Sequence, residues 1–168
     1  MGWDTTFASR ADNGDLNVAI IGLGYVGLPL AVQISKKYDV LGYDTSAKRI
    51  EELKISMDAT KQISSLDLES ATSLSFTKIT KDLNDRNFFI ITVPTPIDEN
   101  KNPDLSLLKK ASIFVGSILN KGDYVIYEST VYPGVTEDIC VPILETTSDM
   151  IFNKDFFCGY SPERINPG

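Results

Sequence analysis

No histidine occurs anywhere in these 168 residues. That absence removes every mechanism that rests on an imidazole base and every metal site that needs a histidine ligand. Cysteine is scarce as well: Cys140 and Cys158 are the only two, with no partners at metal-binding spacing. Cys140 falls in an apolar helical pattern with Val135, Ile139 and Ile143, and Cys158 in an apolar strand, so both read as buried structural thiols. Positive charge is in deficit. Against 23 Asp and Glu stand 16 Lys and Arg, a net charge of −7, which argues against a nucleic-acid surface or an anionic membrane as partner. No run approaches the ~20 apolar residues of a membrane span. The start lacks the basic-then-apolar order of a secretory signal, and cytoplasmic residence is the simplest expectation. Met1 to Thr6 fits the loose myristoylation pattern, a match short enough to arise by chance.

What is present is an ordinary globular composition, 42% hydrophobic and 23% charged, at a length that suits one domain. Its most informative stretch is Val18-Ala-Ile-Ile-Gly22-Leu-Gly24-Tyr25-Val26-Gly27-Leu-Pro29, where an apolar strand runs into a G-x-G-x-x-G turn. Gly22 lets the chain turn sharply, Gly24 leaves room for a pyrophosphate to meet bare backbone, and Gly27 lets the next helix pack close to the sheet. That helix, with Val26, Leu30 and Ile34 inward and Gln33, Lys36 and Lys37 outward, points its free N–H groups at the phosphates. A second apolar strand, Tyr38 to Tyr43, ends at Asp44, placed to accept both hydroxyls of an adenosine ribose. A carboxylate there repels a 2′-phosphate, so the expected cofactor is NAD rather than NADP.

After a polar arm through about Asp15, strands are expected near 16–22, 39–44, 74–78, 87–93, 123–127 and 156–160, with helices between them. The strands are continuous apolar runs, the mark of a parallel sheet covered on both faces. The fold class is therefore α/β: a doubly wound, Rossmann-type parallel sheet. Residues 55–73 are weakly patterned and fit one or two short helices or a mobile insertion. In such a sheet ligands bind beyond the carboxyl ends of the strands. After the fourth strand lies Val93-Pro94-Thr95-Pro96-Ile97-Asp98, a stiff loop in which Thr95 offers a hydroxyl, and Asp104 reads as the N-cap of the following helix. After the fifth lies Glu128-Ser129-Thr130-Val131-Tyr132-Pro133-Gly134, either a turn leading into a helix or a wall of the cofactor cleft carrying Ser129 and Thr130.

These motifs, together with Tyr160-Ser-Pro-Glu163-Arg164-Ile-Asn-Pro-Gly168, closely resemble the UDP-glucose/GDP-mannose dehydrogenase family over nearly the whole chain. The stretch Asn100 to Leu105 and the Ser-Pro-Glu-Arg-Ile-Asn-Pro-Gly ending are similar to the branch that oxidises UDP-N-acetylhexosamines; Pro167 stands where the UDP-glucose branch tends to carry a second glutamate. The resemblance implies oxidation of a sugar C6 alcohol to a carboxylate by two NAD through a cysteine thioester, in the synthesis of surface polysaccharide precursors. It implies that Tyr25 and Val26 present backbone to the pyrophosphate and that Asp44 holds the ribose. It places Arg49 near the adenosine end, a solvated helix charge being the alternative. Pro94, Thr95, Ser129 and Thr130 would line the cofactor cleft, with Thr130 orienting a water or the sugar hydroxyl. Glu163, as base or water-positioning carboxylate, and Arg164 would serve at the substrate, and no metal is implied. It further implies that residues 1–168 are the N-terminal NAD-binding domain of a longer homodimeric enzyme. The nucleophilic cysteine, the central dimer helix and most of the nucleotide-sugar site would then lie beyond this segment, which alone is expected to be inactive. A non-catalytic NAD-sensing module is the competing reading. Hydroxyacyl-CoA and phosphogluconate types ordinarily use a histidine or lysine at sites this chain does not show.

Overall fold

Each of the six apolar runs forms a strand in the computed structural model, which describes residues 5–97 and 103–162. The strands are β1 (Asn17–Ile21), β2 (Asp39–Tyr43), β3 (Leu74–Thr77), β4 (Phe88–Ile91), β5 (Tyr124–Tyr127) and β6 (Phe157–Tyr160). All neighbours are parallel, in the order β3-β2-β1-β4-β5-β6, the doubly wound arrangement. The order reverses between β1 and β4, so a crevice opens at their carboxyl ends.

The α-helices among the described residues are α1 (Thr5–Asn13), α2 (Gly27–Ile34), α3 (Ala47–Lys54), α4 (Ser65–Ser70), α5 (Ser106–Gly116) and α6 (Val141–Ser148). Two apolar cores result. One holds Val18, Ile20, Leu28, Val32, Ile50 and Leu53 under α2 and α3; the other holds Phe89, Ile91, Leu108, Val115, Tyr127 and Leu144 under α5 and α6. No helix among the described residues is long and apolar enough to cross a membrane.

Several local readings shift. Helix α2 buries Gly27, Leu28, Ala31 and Val32, whereas Val26, Leu30 and Ile34 are half-buried. Gly27 is pressed against the end of β1, and that contact fixes the helix rotation. Residues 5–13 of the polar arm are helical, and α1 is tied down by Arg10, whose Nη1 donates to the Gly122 carbonyl at 2.9 Å. Asp104 accepts the Ser106 N–H at 2.9 Å, but the residue bordering the helix is Leu105, so the carboxylate forms a turn one step ahead of the cap position. Pro133 and Gly134 form a turn before the next helix, and a wide π turn at Thr136–Cys140 precedes α6. That turn shifts the buried stripe by five residues, from Val135 and Thr136 to Cys140 and Val141. Ile139 and Ile143 are consequently only half-buried.

At the opposite end of the sheet from the crevice, Asp123 is 3% exposed and accepts the Asn120 N–H at 2.8 Å. Burial pushes its carboxyl up to about 6, against the pull of that N–H and of Arg10. A raised acid favours the folded state most below its unfolded pKa of 3.8, and that contribution is lost as pH rises through about 6. Asp123→Asn is therefore expected to stabilise the protein at pH 8, by at most about 3 kcal/mol, and to have little effect at pH 4. Urea unfolding at the two pH values reads this; an equal effect at both removes the buried charge as its cause.

Candidate functional site

Four residues stand side by side where the central strands end. The backbone bonds Gly22 N–H to Tyr43 O, Thr92 N–H to Ile21 O and Glu128 N–H to Ile91 O, at 2.8, 3.0 and 2.9 Å, carry the sheet register one step past the strands. Asp44, Gly22, Thr92 and Glu128 thus form one row across β2, β1, β4 and β5. Above them lies an open cleft of about 470 Å³, within the range of small-molecule sites.

The glycine turn forms its floor. Gly22 takes φ +101°, a left-handed conformation that side-chain-bearing residues rarely adopt. A Cβ on Gly27 would sit 1.9 Å from the Gly22 carbonyl oxygen and 2.4 Å from the Thr92 hydroxyl, which itself donates to that carbonyl at 2.7 Å. A Cβ on Gly24 would meet nothing within 4 Å. One glycine is thus demanded by packing, and the other leaves an empty approach to bare backbone. In the first turn of α2 the Leu28 and Leu30 N–H groups donate to the Gly24 and Val26 carbonyls at 3.1 and 3.2 Å and Pro29 has none, so the backbone that opens on the cleft is that of Gly24, Tyr25 and Val26, ahead of the helix. Leu23 is fully buried between the glycines, where it packs on the bare face of Gly42.

Asp44 is built into this turn. One carboxylate oxygen accepts the Leu23 N–H at 2.9 Å and the other the Ser46 N–H at 2.8 Å, and each keeps lone-pair capacity for a ligand hydroxyl. On the far wall the Ser129 hydroxyl donates to the Val93 carbonyl at 2.8 Å, which ties the loops after β4 and β5 together. Thr95 Oγ1 is buried without a hydrogen-bond partner among the described residues. A buried hydroxyl in that condition is costly unless a ligand completes it.

The structure gathers Gly22, Gly24, Tyr25, Val26, Asp44, Pro94, Thr95, Ser129 and Thr130 around one cleft. Gly27 lies beneath it. Arg49 does not face it: 9% exposed, Arg49 donates through Nε to the Leu23 carbonyl and through Nη1 to Asp58, both at 2.8 Å. It is neither a solvated helix charge nor a wall residue, but a prop under the glycine turn. Burial alone would raise the Asp58 carboxyl; the Thr60 hydroxyl, the Ile63 and Thr60 N–H groups and the Arg49 guanidinium together hold it well below the usual range. Asp98, Glu163 and Arg164 lie outside the described residues. Neither thiol is poised as a nucleophile. Cys140 is fully buried, and burial pushes the Cys158 thiol up to about 12. No group of three metal-ligating side chains occurs among the described residues.

Sequence reasoning missed Leu23, Thr92 and Glu128 as cleft residues, and a second cavity of about 580 Å³ on the other side of Asp44. Leu107, Lys110, Ala111 and Phe114 of α5 line that cavity with Tyr43 and Thr45, and Tyr43 stacks on Phe114 at 4.8 Å. Their helical spacing was visible, but spacing alone cannot separate a ligand wall from core. Register past the strand ends would have found Thr92 and Glu128.

Residues 16–168 match the family model for the UDP-glucose/GDP-mannose dehydrogenase family, NAD binding domain. The chain is 59% identical over 154 residues to a UDP-N-acetyl-D-glucosamine 6-dehydrogenase of Pseudomonas aeruginosa, covering 92% of this chain and 36% of that protein. It is 38% identical over 160 residues to a UDP-N-acetyl-D-mannosamine dehydrogenase of Pyrococcus horikoshii, covering 91% and 37%. A solved UDP-D-ManNAc dehydrogenase from Pyrococcus horikoshii superposes with a TM-score of 0.84 at 35% identity, covering 90% of this chain and 37% of that one. A ternary complex of GDP-mannose dehydrogenase from Pseudomonas aeruginosa superposes with a TM-score of 0.81 at 25% identity, covering 90% and 37%. The chain thus spans little more than a third of the length of these relatives.

The two glycines generate opposite expectations. Gly27→Ala forces backbone apart and is expected to destabilise by more than 2 kcal/mol, the scale of a strained core substitution. Gly24→Ala meets open space and should stay within about 0.5 kcal/mol of wild type. Denaturant unfolding of the pair decides it, and equal losses would mean the turn is not packed as described.

Proposed function

The chain belongs to the UDP-glucose/GDP-mannose dehydrogenase family through its NAD-binding domain, and on that premise we propose that it is the cofactor-holding part of a UDP-N-acetylhexosamine 6-dehydrogenase. The observation that carries the reading is the open face of Gly24, set between the start of α2 and the Asp44 carboxylate. A pyrophosphate fits where the Gly24 backbone is bare, no side chain intrudes and the positive end of the α2 dipole lies close by. Asp44 accepts the adenosine ribose hydroxyls, and the cavity walled by Leu107, Ala111 and Phe114 receives the adenine. The Thr95 hydroxyl gains a partner in the other half of the dinucleotide, which extends over Thr92 towards Thr130. NAD supplies a hydride acceptor at that end. Thr130 is exposed and lines the cleft; in this reading it orients a water or the sugar hydroxyl, and Glu163 and Arg164 serve the substrate. A UDP-sugar as partner, a homodimer and a cytoplasmic setting belong to the same proposal. The UDP-sugar rests on the names of the relatives, and the homodimer and the cytoplasmic setting on the family resemblance alone.

Titration calorimetry tests the cofactor assignment. Asp44→Ala is expected to weaken NAD binding by roughly 1.5–3 kcal/mol, the range for hydrogen bonds to a charged group. Gly24→Ala should weaken it at least as much without loss of stability. NADP should bind at least tenfold more weakly than NAD, because its extra phosphate meets Asp44. Equal NAD affinity in wild type and Asp44→Ala would remove the acid from the ribose site.

A second test concerns turnover. These 168 residues alone are expected to produce no NADH from NAD⁺ with UDP-N-acetylglucosamine, UDP-N-acetylmannosamine or UDP-glucose. The second oxidation calls for a thiolate that adds to an aldehyde; Cys140 is buried and Cys158, against the expectation of full burial, is half-buried, and desolvation raises both thiols and holds them neutral. Positioning of the sugar is the other lack, worth up to ~7–11 kcal/mol. Absorbance at the NADH band reads the outcome; sustained production abolished by Cys140→Ser or Cys158→Ser would make that thiol the nucleophile.

A further inference from the structure

Over the four central strands the row at the strand ends carries Asp44 on β2 and Glu128 on β5, with the uncharged Gly22 and Thr92 between them. It continues outward to Lys78 after β3, on the far side of Asp44, and to Ser161 after β6. Residues in register on parallel strands share a face of the sheet, so Asp44, Thr92 and Glu128 all project towards the side on which α2 begins. The Thr92 hydroxyl, bonded to the Gly22 carbonyl, marks that side. Three strand spacings separate Asp44 from Glu128, roughly 14 Å. Among the described residues no lysine or arginine lines this cleft, and Glu128 enters none of the ion pairs. Half-buried Glu128 is, among the described residues, the one charged side chain that lines the end of the cleft away from Asp44.

From this row we propose that Glu128 makes the cleft selective for the oxidised dinucleotide, its carboxylate attracting the cationic nicotinamide ring of NAD⁺ and losing that attraction when the ring is reduced. The inference rests on the NAD reading above. With the ribose at Asp44 and the pyrophosphate at Gly24, the rest of the molecule runs over Thr92 and brings its ring to β5. NAD⁺ and NADH share both phosphates, both riboses and the adenine, so the Gly24 and Asp44 contacts are common to the two forms. They differ at the ring. A hydride delivered there brings its electron pair and cancels the positive charge, and a carboxylate within about 6 Å then loses its counterpart. Product release is thereby favoured by the chemistry itself.

Binding of NAD⁺ and of NADH to wild type, Glu128→Gln and Glu128→Lys, measured by titration calorimetry in low and high salt, tests the assignment. Glu128→Gln keeps the shape and removes the charge. It should weaken NAD⁺ about three- to tenfold at low salt and leave NADH within twofold, the scale of one half-screened charge pair. Glu128→Lys should invert the preference, and high salt should shrink the wild-type ratio. Equal changes for the two forms, or an unmoved ratio with binding intact, would overturn the role of Glu128 while leaving the cofactor site standing. Failure of wild type to bind either form would overturn both. Unchanged melting temperatures establish that the variants are folded.

Discussion

Everything at the carboxyl end of this sheet depends on how closely α2 approaches β1. The Gly27 backbone lies against the Gly22 carbonyl at a distance that excludes even one methyl group, and the Thr92 hydroxyl holds the same carbonyl from β4. That contact fixes the helix rotation and so the face that reaches the core. It also fixes where the helix begins, and hence where the backbone of Gly24, Tyr25 and Val26 opens on the cleft. The proposed anion site is therefore a by-product of a packing constraint, beside the open face of Gly24.

The turn is supported from below by a chain of polar contacts that runs well outside the cleft. The Asp58 carboxylate collects N–H groups of Thr60, Gln62 and Ile63 and the Thr60 hydroxyl, and pairs with Arg49. Arg49 passes the restraint to the Leu23 carbonyl, and the Leu23 N–H passes it to Asp44. A buried pair of this kind adds little net stability, because both ions give up water, but removal of either partner is costly. Its effect is geometric: the segment after α3 and the ligand turn hold a single relative placement.

How much of this could be read from the residues follows from how local each cause is. Strands β1 to β6, the left-handed turn at Gly22, the open face of Gly24 and the close packing at Gly27 were legible, since apolar runs and backbone conformation are properties of short segments. The side of α2 that is buried was not, because it is decided by Gly27 against Gly22 and not by the count of apolar residues. Residues 55–73 read as patternless for a similar reason. The Asp58 carboxylate and Arg49 organise the part up to Ile63, and α4 is started by the Ser64 hydroxyl and seated by the one buried Leu68, so no hydrophobic period marks the segment. The wide turn at Thr136–Cys140 defeated a strict 3.6-residue spacing, which cannot represent the five-residue step between its buried positions. Arg49 was misplaced because sequence offers a charge and a distance along the chain, while burial decides whether that charge meets ligand or protein.

The electrostatics of the cleft follow a consistent economy. A dinucleotide brings two negative phosphates, yet no cationic side chain among the described residues lines the wall that meets them. Backbone N–H groups and the helix terminus take that part, and unlike a lysine they cannot swing away or be neutralised by a neighbouring acid. Carboxylates can therefore be kept close by, at Asp44 and Glu128, without an internal salt bridge to compete with the ligand. Arg49 illustrates the same logic from the other side. A guanidinium left free at the end of β2 would pair with Asp44 and occupy the oxygens the ribose requires. Bound to Leu23 and Asp58 beneath the turn, it gives rigidity while the acid stays available.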